Sequence, residues 1–203
     1  MFFVLVDNPF FDQMKKSYNE GAVRQEIEKQ QFPTLKEMNF IEELEWVSKI
    51  IVKANSPVVF SHNDFGRKNI LVKESTDSSD KQIFLIDFDW TNYNSRGVDF
   101  GQYFSSWAQN EPDFGSGDFP SDEEMAPLID AYIEGMSEIL GTSFAKQEIN
   151  SRQQIIKEAK IYTLMAFMKD VMYCIWQTDL MNKEFLVSFI WYLFENKLIL
   201  FVL

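Results

Sequence analysis

Eight consecutive residues hold the side chains best suited to chemistry: His62-Asn63-Asp64-Phe65-Gly66-Arg67-Lys68-Asn69. They read H-x-D-x-x-x-x-N and lead into the apolar run Ile70-Leu71-Val72. A second apolar run, Ile83-Phe84-Leu85-Ile86, ends on Asp87-Phe88-Asp89. These residue types suit phosphoryl transfer to an alcohol. One carboxylate near the hydroxyl takes its proton, and hard oxygen ligands hold the Mg²⁺ that neutralises charge on the phosphates. Asp64 suits the first task. Asn69, five residues on, and Asp87, after the second run, suit the second. His62 is expected to brace the loop rather than act as a base. The spacing alone also describes a polar turn whose Asn and Asp bind local backbone groups. The flanking apolar runs and the Asp-Phe-Asp that follows at hairpin distance favour the phosphotransfer loop. A Ser/His/Asp triad built on the lone His62 finds no G-x-S-x-G to support it.

The elements that must position these groups can be read from the apolar pattern. A helix is expected over 10–19, after Pro9. A second opens at Thr34, whose spacing to Glu37 makes a capping box. Phe40, Ile41, Leu44, Val47, Ile50 and Ile51 continue it at helical spacing until Asn55-Ser56-Pro57. Val58 to Phe60, Ile70 to Val72 and Ile83 to Ile86 read as short strands, with 74–82 as a hairpin tip. Helices are then expected over 97–110, from the Ser121–Glu124 capping box to about Leu140, over 143–178, and over 183–197. No Gly-, Ser- or Pro-rich linker divides the chain, so residues 1–203 are expected to form a single domain. The fold class is α+β: mainly helical, with a small β-hairpin carrying the chemistry.

Bulk composition excludes several alternatives. At 203 residues with 46% hydrophobic and 16% aromatic content, the chain can bury a core and is not disordered. A net charge of −12 disfavours nucleic acid as a partner, because phosphates demand Lys and Arg. One cysteine and one histidine exclude an internal disulfide and a Cys₂His₂ zinc site. Low cysteine use fits a reducing, cytoplasmic setting. No apolar run reaches the ~20 residues of a membrane span, and Met1 to Asp7 lacks the basic start and cleavage site of a signal peptide.

Three blocks then resemble the choline/ethanolamine kinase family. Val59 to Leu71 resembles its catalytic loop, and Leu85-Ile86-Asp87-Phe88-Asp89-Trp90 its I-D-F-E-Y segment. Tyr93-Asn94-Ser95-Arg96-Gly97-Val98-Asp99-Phe100-Gly101 resembles its Y-N-x-R-G-x-D-I-G stretch. The resemblance implies a protein-kinase-like fold and, for this chain, its mainly helical C-terminal lobe. It implies Asp64 as catalytic base, Asn69 and Asp87 as Mg²⁺ ligands, and ATP as co-substrate. His62, Arg96 and Asp99 take structural roles. An aromatic and acidic pocket for an ammonium head group would draw on Asp89, Trp90, Trp107, Glu111, Tyr173 and Trp176. Ser106 stands where the family has Glu, and Glu111 where it has an aromatic, so choline, ethanolamine and a methylated intermediate between them all stay open as substrates.

Nothing in the 61 residues before His62 resembles G-x-G-x-x-G or Val-Ala-x-Lys, the parts that cover and contact ATP phosphates. The chain therefore reads as the large lobe without the small one. The expected function is ATP-dependent phosphorylation of choline or ethanolamine for phospholipid head-group synthesis, with the balance for these 203 residues alone against autonomous turnover. The alternative is a non-catalytic or regulatory kinase-like module, or a truncated isoform that lost ATP binding. Expected assembly is a homodimer or pairing with a full-length kinase.

Overall fold

The computed structural model describes residues 40–73, 82–107 and 118–176, together with Asp12, Lys15, Lys16 and Gln25; of 171–176 it describes the helical backbone alone. Asp12, Lys15 and Lys16 are helical, within the helix expected over 10–19. The Thr34 capping box, residues 74–81 of the expected hairpin tip and the 183–197 helix fall outside the described residues, while Gln82 belongs to a strand rather than to the tip. The order is α1 (Phe40–Ala54), β1 (Val58–Ser61), β2 (Ile70–Lys73), β3 (Gln82–Leu85), β4 (Asn92–Ser95), α2 (Gly97–Ser105), α3 (Asp122–Leu140) and α4 (Arg152–Trp176). This is the helix-rich α+β arrangement expected from the sequence. No helix among the described residues is long and apolar enough to cross a membrane.

The chain groups into two compact units. The first contains α1 and the part of α4 from Leu164 onward. Leu44, Val47 and Ala54 form the buried stripe of α1, and Leu164 to Met168 are buried on α4. Helix α1 ends where the sequence suggests. Asn55 takes a left-handed φ of 51°, which Asn tolerates, and Pro57 follows.

The second unit, Ser56–Trp107 with Pro120–Thr163, carries the chemistry. Its β-structure is one hairpin nested inside another pairing. Strands β2 and β3 pair antiparallel, with Ile70 opposite Leu85 and Lys73 opposite Gln82. The chain then returns, and β4 pairs antiparallel with β1, Val58 opposite Ser95 and Ser61 opposite Asn92. Nesting forces the two connections, 62–69 and 86–91, to lie side by side. Strand β4 was not expected: Asn-Tyr-Asn-Ser lacks apolar alternation, and only tertiary pairing makes it a strand. The β2–β3 hairpin has the continuous apolar composition of strands covered on both faces. Among the described residues it is largely uncovered: Ile83 is 67% exposed and Val72 55%.

Helix α3 opens with the expected capping box. The Glu124 backbone N–H donates to Ser121 Oγ at 3.3 Å, and the Ser121 N–H donates to Glu124 Oε2 at 2.8 Å. Helix α4 does not begin near Ser143 as expected. Residues 141–151 form turns and a short 3₁₀ segment, Glu148–Asn150. The reason is Asn150, which is buried and donates Nδ2 to the Phe144 carbonyl at 3.0 Å. Ser151 then caps α4 by accepting from the Gln154 N–H at 3.2 Å. Helix α2 is also shorter than expected and ends at Ser105.

Helix α2 sits against the backbone of α4 because two glycines let it. A Cβ added at Gly97 would overlap the Tyr162 ring. One added at Gly101 would overlap the Tyr162 carbonyl carbon and lie 2.6 Å from the Thr163 nitrogen. Thr163 Oγ1 donates across this seam to the Gly101 carbonyl at 3.2 Å. Phe100 and Phe104 on α2, Met125 and Ile129 on α3, and Ile155 and Ala159 on α4 complete the buried core of this unit. Gly101→Ala is expected to lower stability by about 1–3 kcal/mol, because backbone rather than a flexible side chain must move. A urea midpoint unchanged by this substitution would contradict the close approach.

Candidate active site

The loop between β1 and β2 is built from polar contacts to its own unit. Asn63 takes a left-handed φ of 62°, which turns the chain sharply after β1. Its Nδ2 donates to the carbonyl of Trp90 at 3.0 Å, and its Oδ1 accepts from Asn94 Nδ2 at 2.9 Å. The loop is thereby tied to both the 86–91 segment and β4. Asp99, on the first turn of α2, holds the loop backbone. Its Oδ2 accepts from the His62 N–H and its Oδ1 from the Asn63 N–H, each at 2.8 Å. His62 is buried and its Nε2 lies 2.9 Å from the Ile86 carbonyl, so the proton sits on Nε2. The His62 ring also packs on Phe88, centroids 5.0 Å apart. These contacts brace the loop against the segment that follows β3.

Asp64 is buried, with its carboxylate held by named donors. Asn69 Nδ2 donates to Asp64 Oδ2 at 2.9 Å and to the Asp64 carbonyl at 2.8 Å. Gln102 Nε2 donates to Asp64 Oδ1 at 3.1 Å. Lys68 Nζ lies 3.2 Å from Asp64 Oδ2, at the end of a mostly exposed side chain. The Asn69 nitrogen is engaged by Asp64, which leaves the amide oxygen as the atom this side chain could offer a hard cation. The Ile86 N–H donates to the Asn69 carbonyl at 3.1 Å, which places Asp87 one residue beyond that junction. Asp87 is exposed and left-handed, with φ 66° and ψ 62°. Among the described residues no three His, Cys, Asp or Glu side chains cluster to hold a metal. Two protein oxygens, one amide and one carboxylate, nonetheless suit Mg²⁺, which keeps waters and takes phosphate oxygens for its other positions.

Of the remaining residues read from the sequence, Asp89 and Trp90 follow Asp87 in a 3₁₀ turn and are exposed, Trp90 by 71%. Trp107 ends α2's turn, half-buried, its ring 6.4 Å from Tyr103 and 6.2 Å from Phe104. Tyr173 and Trp176 lie on α4 past Thr163, where the second unit ends, and their side chains are outside the described residues. Glu111 is outside them too. Arg96 is buried and works within the frame. Its guanidinium donates to Glu158 Oε1 at 2.8 Å and Oε2 at 3.1 Å, to Asn150 Oδ1 at 2.9 Å and to the Ile149 carbonyl at 2.7 Å. Sequence reasoning gave no role to Asn63, Asn94 or Gln102. A lone Asn before the Asp was the available signal for the first, since Asn tolerates φ > 0.

Burial pushes the Asp99 carboxyl above its ordinary value of 3.8, against the two backbone N–H bonds that pull it down. An acid with a raised folded pKa keeps its proton longer in the folded than in the unfolded chain. Its ionisation therefore lowers stability as pH rises from 3.8 through the folded pKa. Asp99→Asn is expected to remove that pH slope. It also puts an NH₂ against one backbone donor, costing about 1–3 kcal/mol at neutral pH. Urea midpoints across pH 4 to 7 read both effects.

A family model for choline/ethanolamine kinase matches residues 6–196. The chain belongs to that family. Mouse choline kinase alpha is 26% identical over 186 residues, covering 86% of this chain and 41% of that protein. A human choline/ethanolamine kinase is 27% identical over 165 residues, covering 74% and 41%. The chain thus spans about four-tenths of the length of these relatives. Among solved structures, choline kinase from Cryptosporidium parvum Iowa II aligns with a TM-score of 0.65 at 17% identity, covering 95% of this chain and 57% of the other. Plasmodium vivax ethanolamine kinase aligns at 0.59 and 18%, covering 86% and 46%. The protein-kinase-like fold that the sequence resemblance implied is the fold found.

Proposed function

We propose that this member of the choline/ethanolamine kinase family presents the acceptor side of an ATP-dependent phosphotransfer to an amino alcohol, choline or ethanolamine. In this reading the substrate hydroxyl gives its proton to Asp64 as its oxygen attacks the γ-phosphorus of ATP, and ADP leaves. Asn69 and Asp87 would hold Mg²⁺, which supplies charge neutralisation on the phosphates when bound. Asp99 and His62 keep the loop in place, and Asp89, Trp90, Trp107, Glu111, Tyr173 and Trp176 are the candidates to meet the ammonium group. The observation that carries the reading is the Asp64 carboxylate, buried and fixed by Asn69 and Gln102 beside the junction to Asp87. Such fixing places a base where a hydroxyl can be oriented rather than merely met. The cytoplasm as its setting, and assembly as a homodimer or with a full-length kinase, complete the proposal; sedimentation reads the last directly.

A second reading is a module that binds the cation without turning it over, drawing on the exposed Asp89 and Trp90. Calorimetry separates the two. Binding of an amino alcohol together with Mg-ATP supports the enzyme. Binding of the alcohol alone supports the module, and binding of neither contradicts both.

A further inference from the structure

We infer that Gln102 is a positioning residue for Asp64: through its side-chain amide, helix α2 sets the direction of the carboxylate that the proposed reaction uses as its base. The inference rests on that reading for its functional meaning, and on geometry for the rest.

Gln102 follows Asp99 by three residues, so both project from one side of α2. Asp99 fixes the backbone N–H groups of His62 and Asn63, and Gln102 reaches the side chain of the next residue. One helix face therefore controls both the loop's path and its carboxylate. The helix can do this because it is itself immobilised, with Gly97 and Gly101 seated against Tyr162 and Thr163. A fixed helix presenting an amide N–H₂ is a preorganised support of the kind that orients reacting groups. The contact is divided sensibly between the two oxygens: Asn69 and Lys68 address Oδ2, and Gln102 addresses Oδ1. With both oxygens held, swinging of the side chain about χ1, which would carry them away from Gln102 and Asn69, is opposed, and the carboxylate keeps one place.

Gln102→Met is the direct variant, since Met is unbranched, helix-compatible and lacks the donor. Gln102→Glu keeps the shape and replaces the donor by a repelling carboxylate, and it serves if the first variant fails to fold. In the isotope-labelled full chain, three-bond couplings report the χ1 rotamer of Asp64, with backbone amide shifts of β1, β4 and α4 as the fold control. The expected result is one χ1 rotamer in wild type and averaging among rotamers in either variant, the fold control unchanged. A single unchanged rotamer in a folded variant would overturn the inference. Kinetics with Mg-ATP and an amino alcohol give the second readout. The variants should lose roughly ten- to hundredfold in kcat with KM little changed. An unaffected kcat in variants of an active wild type would overturn the inference as well. A wild-type chain without turnover would count against the proposed reaction, and the rotamer measurement would then decide the role of Gln102 by itself.

Discussion

Asp64→Asn is expected to lower kcat/KM for amino-alcohol phosphorylation by roughly 10²–10⁴-fold, the usual worth of a positioned general base. The shape of the side chain is kept and its basicity is lost. The exposed Lys68 partner contributes at most about 1 kcal/mol, and the new NH₂ faces one amide donor, Asn69 or Gln102, at a cost of about 1–3 kcal/mol, well short of a domain's stability. The fold should therefore survive, and the loss should fall on kcat more than on binding of the alcohol. Circular dichroism on the variant checks the first point and steady-state kinetics the second. A variant retaining wild-type kcat would remove Asp64 from the chemistry.

The largest expected effect on stability comes from the Arg96–Glu158 pair. Arg96 is 2% exposed and Glu158 0%. Their two-pronged contact is completed by Ser56 Oγ at 2.8 Å from Glu158 Oε2 and Gln154 Nε2 at 3.1 Å from Oε1. The pair joins the end of β4 to α4, and so holds the start of the helix that bears Asp99 and Gln102. Arg96→Met leaves a buried carboxylate without its countercharge and is expected to cost about 3–5 kcal/mol. The double change Arg96→Met with Glu158→Leu should recover a substantial part of that loss, because no isolated charge is then buried. Urea unfolding of the two variants tests this. A double variant less stable than Arg96→Met would show that the pair's hydrogen bonds, rather than the stranded charge, dominate.

Much of the site was legible in the sequence because its chemistry is local. His62, Asp64 and Asn69 fall within one short loop, and apolar strands on both sides announce it. The Ser121–Glu124 cap is likewise a three-residue signal. What could not be read depends on distant partners. Strand β4 is polar and exists through its register with β1. Residues 143–151 have helical periodicity, yet Asn150 holds them in turns through Arg96 and Phe144. Gln102 lies on α2 without any motif of its own, and its contact with Asp64 arises only once the two glycines seat that helix. The aromatic and acidic residues assigned to the ammonium pocket came by resemblance, and Glu111, Tyr173 and Trp176 fall where side chains are not described.

In the proposed reaction, phosphate passes to an amino alcohol at this loop. Phosphorus NMR of the chain with Mg-ATP and either choline or ethanolamine tests it most directly. A new phosphomonoester signal is expected that grows with time, needs the alcohol, and disappears in Asp64→Asn. No phosphomonoester with either alcohol, or the same signal from the Asp64 variant, would contradict it.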